Sequence, residues 1–153
     1  MHLTTKGQYG TRAMLDLSLH YRQGPQTIDA IAARQEIPKK YLEQVMLLLK
    51  SALLVSSVRG RQGGYQLARP PERITLGEVV RATDGPLAPI SCVSQTAYRP
   101  CTCNDETTCA LRLTWLEVRA AIAQVLDNTT LAEVAKRSAD LAAGQGDQFM
   151  YYI

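Results

Sequence analysis

Apolar residues recur along this chain at helical spacing, and the breaks between the runs divide it into short elements. Tyr9, Ala13, Met14, Leu17 and Tyr21 stand three or four residues apart, one face of a helix that Gly24-Pro25 stops. Thr27 precedes Ile28, Ala30, Ile31 and Ala32, which predicts a short helix capped by Thr27 and ending near Gln35-Glu36. Pro38 then sits where a first helical residue is favoured, and Tyr41, Leu42, Val45, Met46, Leu48 and Leu49 form an apolar stripe running to Lys50.

The period then changes. Leu53 to Val58 reads as a strand, Arg59 to Gly64 as a turn and Tyr65 to Ala68 as the returning strand. Two helices joined by a short turn and followed by a hairpin predict a winged helix-turn-helix. Beyond Pro70-Pro71, Leu76 to Thr83 reads as a helix with Thr75 as N-cap and Glu78 at the capping-box position, ended by Gly85-Pro86. Residues 86–108 show neither period and predict a long loop, a feature that in compact domains tends to carry function. Leu111, Trp115, Val118, Ile122, Val125 and Leu126 mark a long helix ended at Asp127-Asn128, and Thr130 with Glu133 opens a last helix through about Ala142. The expected fold is mainly α with a small β wing. It comprises a winged helix-turn-helix over 1–85, a cysteine-bearing loop over 86–108, a dimerisation helix and terminal helix over 109–143, and a tail over 144–153.

Composition adds limits. With 153 residues, 46% of them hydrophobic, the chain can bury a core without staples. No run approaches the roughly 18 apolar residues of a membrane span, and the opening Met1 to Lys6 is not followed by the apolar stretch of a signal peptide. A cytoplasmic protein with no membrane partner is expected. No nucleophile-base arrangement and no strand-to-helix phosphate loop is visible, so no catalytic residue and no enzyme activity is expected.

The charge of +3 is unevenly shared: residues 1–80 hold 11 Lys and Arg against 6 Asp and Glu, and residues 81–153 hold 6 against 8. A basic first half suits a polyanion. On the predicted third helix, Lys39 and Lys40 are suited to phosphate, Glu43 can accept a hydrogen bond from cytosine N4 and Gln44 can pair with adenine. Arg59 and Arg61 at the Gly-rich tip of the predicted wing suit a minor groove.

All four cysteines fall in the predicted loop, as Cys92, Cys101, Cys103 and Cys109 in the spacing C-x8-C-x-C-x5-C. Thiolates at this density suit an iron-sulfur cluster or zinc, but zinc sites usually show paired C-x2-4-C knuckles that are missing here. A DNA-binding regulator with a metal-free thiol-disulfide switch is one alternative. An electron carrier is another, but it would need neither basic head nor wing.

The segments Leu3 to Gly7, Ala13 to Asp16, Tyr41 to Gln44, Leu54 to Gly60 and Gly63-Gly64-Tyr65 resemble the Rrf2 family of bacterial regulators, above all its iron-sulfur cluster regulators. The similarity covers about residues 1–126. It implies a homodimeric winged-helix transcription factor that binds double-stranded operator DNA and responds, through a cluster in the loop, to redox state, iron-sulfur status or nitric oxide. Lys40, Tyr41, Glu43 and Gln44 match the family's recognition helix, and Arg59 matches its wing arginine. Cys92, Cys103 and Cys109 match its three loop cysteines, Cys109 standing six residues before Trp115 as in the family, whereas Cys101 is extra. Some family members complete the cluster with a His three residues after the last Cys, others with a carboxylate near the start of the first helix. Arg112 and Gln8 stand at those positions, so Cys101 becomes the leading candidate for fourth ligand. The lone His2 and His20 read as surface or packing residues. The donor count suits a 2Fe-2S or a 4Fe-4S cluster, and 2Fe-2S is the form expected first.

Overall fold

The computed structural model describes residues 3–103 and 105–144. His2 and all but the first residue of the expected tail lie outside them. Six helices and one hairpin follow in order: α1 (Thr5–Leu19), α2 (Ile28–Gln35), α3 (Lys39–Ser51), β1 (Val55–Val58), β2 (Gly64–Leu67), α4 (Leu76–Asp84), α5 (Ala110–Asn128) and α6 (Leu131–Ala142). Short 3-10 turns lie at Tyr21–Gln23, Pro71–Arg73 and Ser91–Val93. The predicted caps form: Thr27 accepts from the Ala30 N–H, and Thr75 with Glu78 and Thr130 with Glu133 make reciprocal capping boxes.

Helix α1 begins four residues before its apolar stripe, because Thr4 caps it through the Gly7 N–H while donating its own N–H and hydroxyl to Asp84 at the end of α4. Gly7 and Gly10 weaken the helical signal of this first turn, yet packing requires them. A Cβ at Gly7 would lie 2.5 Å from the Asp84 carboxylate, and one at Gly10 would lie 2.7 Å from the Thr83 methyl. The α1–α4 contact therefore closes backbone against side chain, closer than any larger residue permits.

Met14 and Leu17 of α1, Ile31 of α2, Leu42, Val45, Met46 and Leu49 of α3, Val79 of α4 and Leu131 of α6 form one buried core. The α6 contribution reaches back across the molecule. Its first residue donates its N–H to the Ile74 carbonyl, and the Ser18 hydroxyl donates to the Leu131 carbonyl. Among these apolar groups one carboxylate is buried. Asp16, 1% exposed, accepts two bonds from Arg34 at 2.9 and 2.7 Å and one from Gln35. A buried charge survives because it is paired and hydrogen-bonded on several sides. Arg34 carries the pairing onward by donating to the Gln26 side chain, and Gln26 bridges to Tyr65 of the wing through two backbone bonds of 2.8 Å.

Helix α5 differs from the rest. None of its 19 residues is buried, although Leu111, Leu113, Trp115, Val118 and Val125 are large and apolar. Among the described residues no helix is long and apolar enough to cross a membrane.

Candidate nucleic-acid interface and cysteine loop

Helix α3 buries Leu42, Val45, Met46 and Leu49 and leaves Lys40, Glu43, Gln44 and Leu47 on its outward face, the i, i+3, i+4, i+7 spacing of a single stripe. Its N-terminus has Pro38 as N-cap and no side-chain cap, so its first N–H groups and the lysines beside them can meet an anion such as a phosphate. Lys39 is engaged with Asp29 of α2 at 2.7 Å, and this hydrogen-bonded pairing raises its pKa and keeps it charged. Tyr41 is half-buried rather than free: its ring meets Tyr9 edge-on with centroids 5.3 Å apart. Of the residues expected on this helix, Lys40, Glu43 and Gln44 are fully available and Tyr41 shares its surface with the core.

The hairpin pairs Val55 with Leu67 and Val58 with Gly64, leaving Arg59 and Arg61 exposed at a tip closed by a bond from Gly63 N–H to the Gly60 carbonyl. Gly64 lets the wing approach the α1–α2 connection, since a Cβ there would overlap the Gln26 carbonyl oxygen. Lys50 at the end of α3 donates to Ser57 of β1 at 2.6 Å. The wing is thus tied to α3 by a side chain and to the α1–α2 connection by backbone.

The cysteine loop runs from α4 to α5. Cys92 is buried in the 3-10 turn, Cys101 is exposed, Cys103 and Cys109 are partly covered, and all four are free thiols. The Cys101 sulfur accepts the Cys103 backbone N–H at 3.3 Å, which holds these two cysteines side by side. Pairing with Cys103 lowers the Cys101 pKa, and the same pairing pushes Cys103 up to about 12. Burial pushes the Cys92 thiol up. Cys109 occupies the N-cap position of α5, which has no side-chain cap.

Two arginines of α5 hold this loop. Arg112 donates to the Cys92 carbonyl at 3.3 Å and Arg119 donates to the Val93 carbonyl at 2.7 Å. Glu106 is a site residue that the sequence pattern does not mark: its carboxylate accepts from the Cys101 N–H at 2.5 Å and the Tyr98 hydroxyl at 2.7 Å, with Arg112 3.9 Å away. The Cys101 N–H and then the Tyr98 hydroxyl hold its pKa low. Its only sequence signal is a carboxylate inside a loop dense in thiols. Gln8 of α1, where the resemblance would place a carboxylate ligand, donates its side-chain amide to the Leu3 carbonyl ahead of that helix.

In donor chemistry this set fits a thiophilic iron-sulfur group: four free thiols fall in one loop, two of them held side by side by the bond from the Cys103 N–H to the Cys101 sulfur. The thiols are grouped without forming a finished cage: among the described residues no three His, Cys, Asp or Glu side chains surround one point as metal ligands would.

Comparison with known proteins sets these features in a family. Residues 3–137 match the Rrf2 family, described as iron-dependent transcriptional regulator. The chain is 40% identical over 146 residues to the rrf2-like HTH-type transcriptional regulator of Rhodobacter capsulatus, covering 93% of each. Among solved structures it is similar to CymR, the global cysteine regulator of B. subtilis, with a TM-score of 0.75, 34% identity, and coverage of 89% of this chain and 97% of that one. It is similar to IscR of T. potens with a TM-score of 0.74, 36% identity, and coverage of 99% and 97%.

Proposed function

The chain belongs to the Rrf2 family of DNA-binding transcriptional regulators, and from that premise we propose a cytoplasmic homodimer whose affinity for operator DNA is set by an iron-sulfur cluster on Cys92, Cys103 and Cys109, with Cys101 as the fourth thiolate. The observation that carries this reading is the position of the thiols, which lie where the loop meets α5, with the carbonyls of Cys92 and Val93 held by Arg112 and Arg119. The cluster, when bound, supplies electron exchange and a bond to each ligand that is lost on oxidation or on attack by nitric oxide.

The rest of the mechanism belongs to the chain's own residues. Arg112 and Arg119 couple any movement of the Cys92 turn to α5. Arg81 grips Asp127 at the far end of α5 with bonds of 2.5 and 2.8 Å, and the Thr129 carbonyl accepts the Leu76 N–H, so α5 is in turn tied to α4. α4 packs on α1 and α3. A change at the thiols thereby bears on the orientation of α3 and the wing, where Lys39 and Lys40 would meet phosphates, Glu43 and Gln44 base edges, Arg59 and Arg61 a minor groove, and Tyr41 the edge of the interface. Redox poise and iron-sulfur status are the signals such a coupling would read.

The test is anaerobic purification followed by a visible spectrum and iron, sulfide and zinc analysis. Stoichiometric iron and sulfide in the parent, lost in Cys92→Ala, Cys103→Ala and Cys109→Ala, is the expected result. Full iron and sulfide in Cys109→Ala would overturn the ligand assignment.

The close pairing of Cys101 with Cys103, whose N–H donates to the Cys101 sulfur at 3.3 Å, favours a second reading in which the loop works without metal. The Cys101 sulfur and a neighbouring thiol would form a disulfide, giving two electrons and two protons to an oxidant. This reading expects a colourless protein and a bridge reversed by reductant.

A further inference from the structure

Leu47 stands on the outward face of α3, one turn beyond Glu43 and Gln44, and is 59% exposed. The four apolar residues that α3 turns inward are completely buried, so the core makes no use of this side chain. Its stripe neighbours Lys40, Glu43 and Gln44 are all polar and all exposed. A leucine offers nothing to a phosphate and cannot donate to or accept from a base edge. In the major groove the one apolar group on offer is the C5-methyl of thymine.

We propose that Leu47 is a specificity residue that reads a thymine methyl in the major groove. This rests on the reading that α3 is the helix that enters that groove. Along the helix axis Leu47 lies roughly 4.5–6 Å beyond Gln44 and Glu43, a step of between one and two base pairs. The methyl it meets therefore belongs to a base pair next to those within reach of Glu43 and Gln44, on the side toward the C-terminus of α3. The polar pair and the apolar residue together would specify adjacent positions by two different chemistries, hydrogen bonding and methyl contact.

The experiment uses the full-length protein. A preferred site is selected from random DNA, and each thymine in it is then replaced singly by deoxyuridine, which deletes the methyl and leaves the pairing edge unchanged. Binding is measured by fluorescence anisotropy for the parent, Leu47→Ala and Leu47→Gln, with circular dichroism to verify folding. In the parent, one thymine per half-site is expected to lose about fourfold in affinity on conversion to deoxyuridine, the value of one buried methyl group. In both variants that loss is expected to vanish, and repeated selection is expected to relax the same position while the neighbouring ones persist. The proposal is overturned if no thymine responds in the parent, or if the response survives in the variants. A parent that selects no motif at all would instead overturn the DNA-reading role of α3 and the functional reading above.

Discussion

Glu36 (φ 51°) and Leu53 (φ 58°) adopt the left-handed backbone, Glu36 directly after α2 and Leu53 one residue beyond the Ala52 that ends α3. After α2 the N–H groups of Glu36 and Ile37 bond to the carbonyls of Ala33 and Ala32. After α3 those of Leu53 and Leu54 bond to Lys50 and Leu49. Both are Schellman endings, a position that glycine fills at least steric cost. Leu53 is also 75% exposed, so its side chain contributes no core burial in exchange. Leu53→Gly removes a left-handed side chain costing about 1–2 kcal/mol and adds about 0.5–1 kcal/mol of glycine chain entropy. A net gain of roughly 0.5–1 kcal/mol is expected, read as a higher midpoint in urea with an unchanged slope. An unchanged or lower midpoint would show that the turn carries no strain. The left-handed turns at these endings, unlike the endings themselves, are hard to read in the sequence because the glycine that normally announces them is missing. Glu106 is hidden for a related reason: nothing local distinguishes a carboxylate held by Tyr98 and Cys101 from one in water.

At the scale of elements, α2, α3, the wing and the two capping-box helices are legible because their cues are local, residing in periodicity, a Thr cap or a Gly-rich turn. The start of α1 is not, since what justifies Gly7 and Gly10 is the approach of α4 from more than seventy positions away. The tie between α4 and α5 is equally nonlocal. Asp127 is held below the usual carboxylate range by the hydrogen bonds of Arg81, and the pair is about two-fifths exposed. A carboxylate whose folded pKa is depressed adds stability above its unfolded pKa of about 3.9, and that stability is lost as pH falls through the folded value. Arg81→Ala is expected to cost about 0.5–1 kcal/mol at pH 7, in keeping with a solvent-screened pair. Between about pH 4 and the acid limit the parent and the variant should converge. Thermal melts across that range would test this, and a gap that stayed constant down to pH 2 would remove Asp127 as its source.

At the scale of the whole molecule the unmatched piece is α5. Leu111, Trp115, Val118, Ile122 and Val125 repeat in steps of four, three, four and three, the seam by which one helix packs along another, and none of the five is buried, Leu111 and Val125 standing most exposed. A second copy is the proposed cover. Val118→Glu with Val125→Glu is expected to halve the mass seen by sedimentation and to weaken binding to a two-half-site operator, while the circular dichroism of the helical core persists. A dimeric mass in that variant would direct the search to another surface. The core itself has one property of order in time. Its wall between α1 and the Pro71–Arg73 turn is completed by Leu131, whose carbonyl receives the Ser18 hydroxyl from 113 positions earlier in the chain. The ribosome, working from the N-terminus, therefore delivers every cysteine before the segment that completes this core. The thiols are thus synthesised before the core that carries α3 can close.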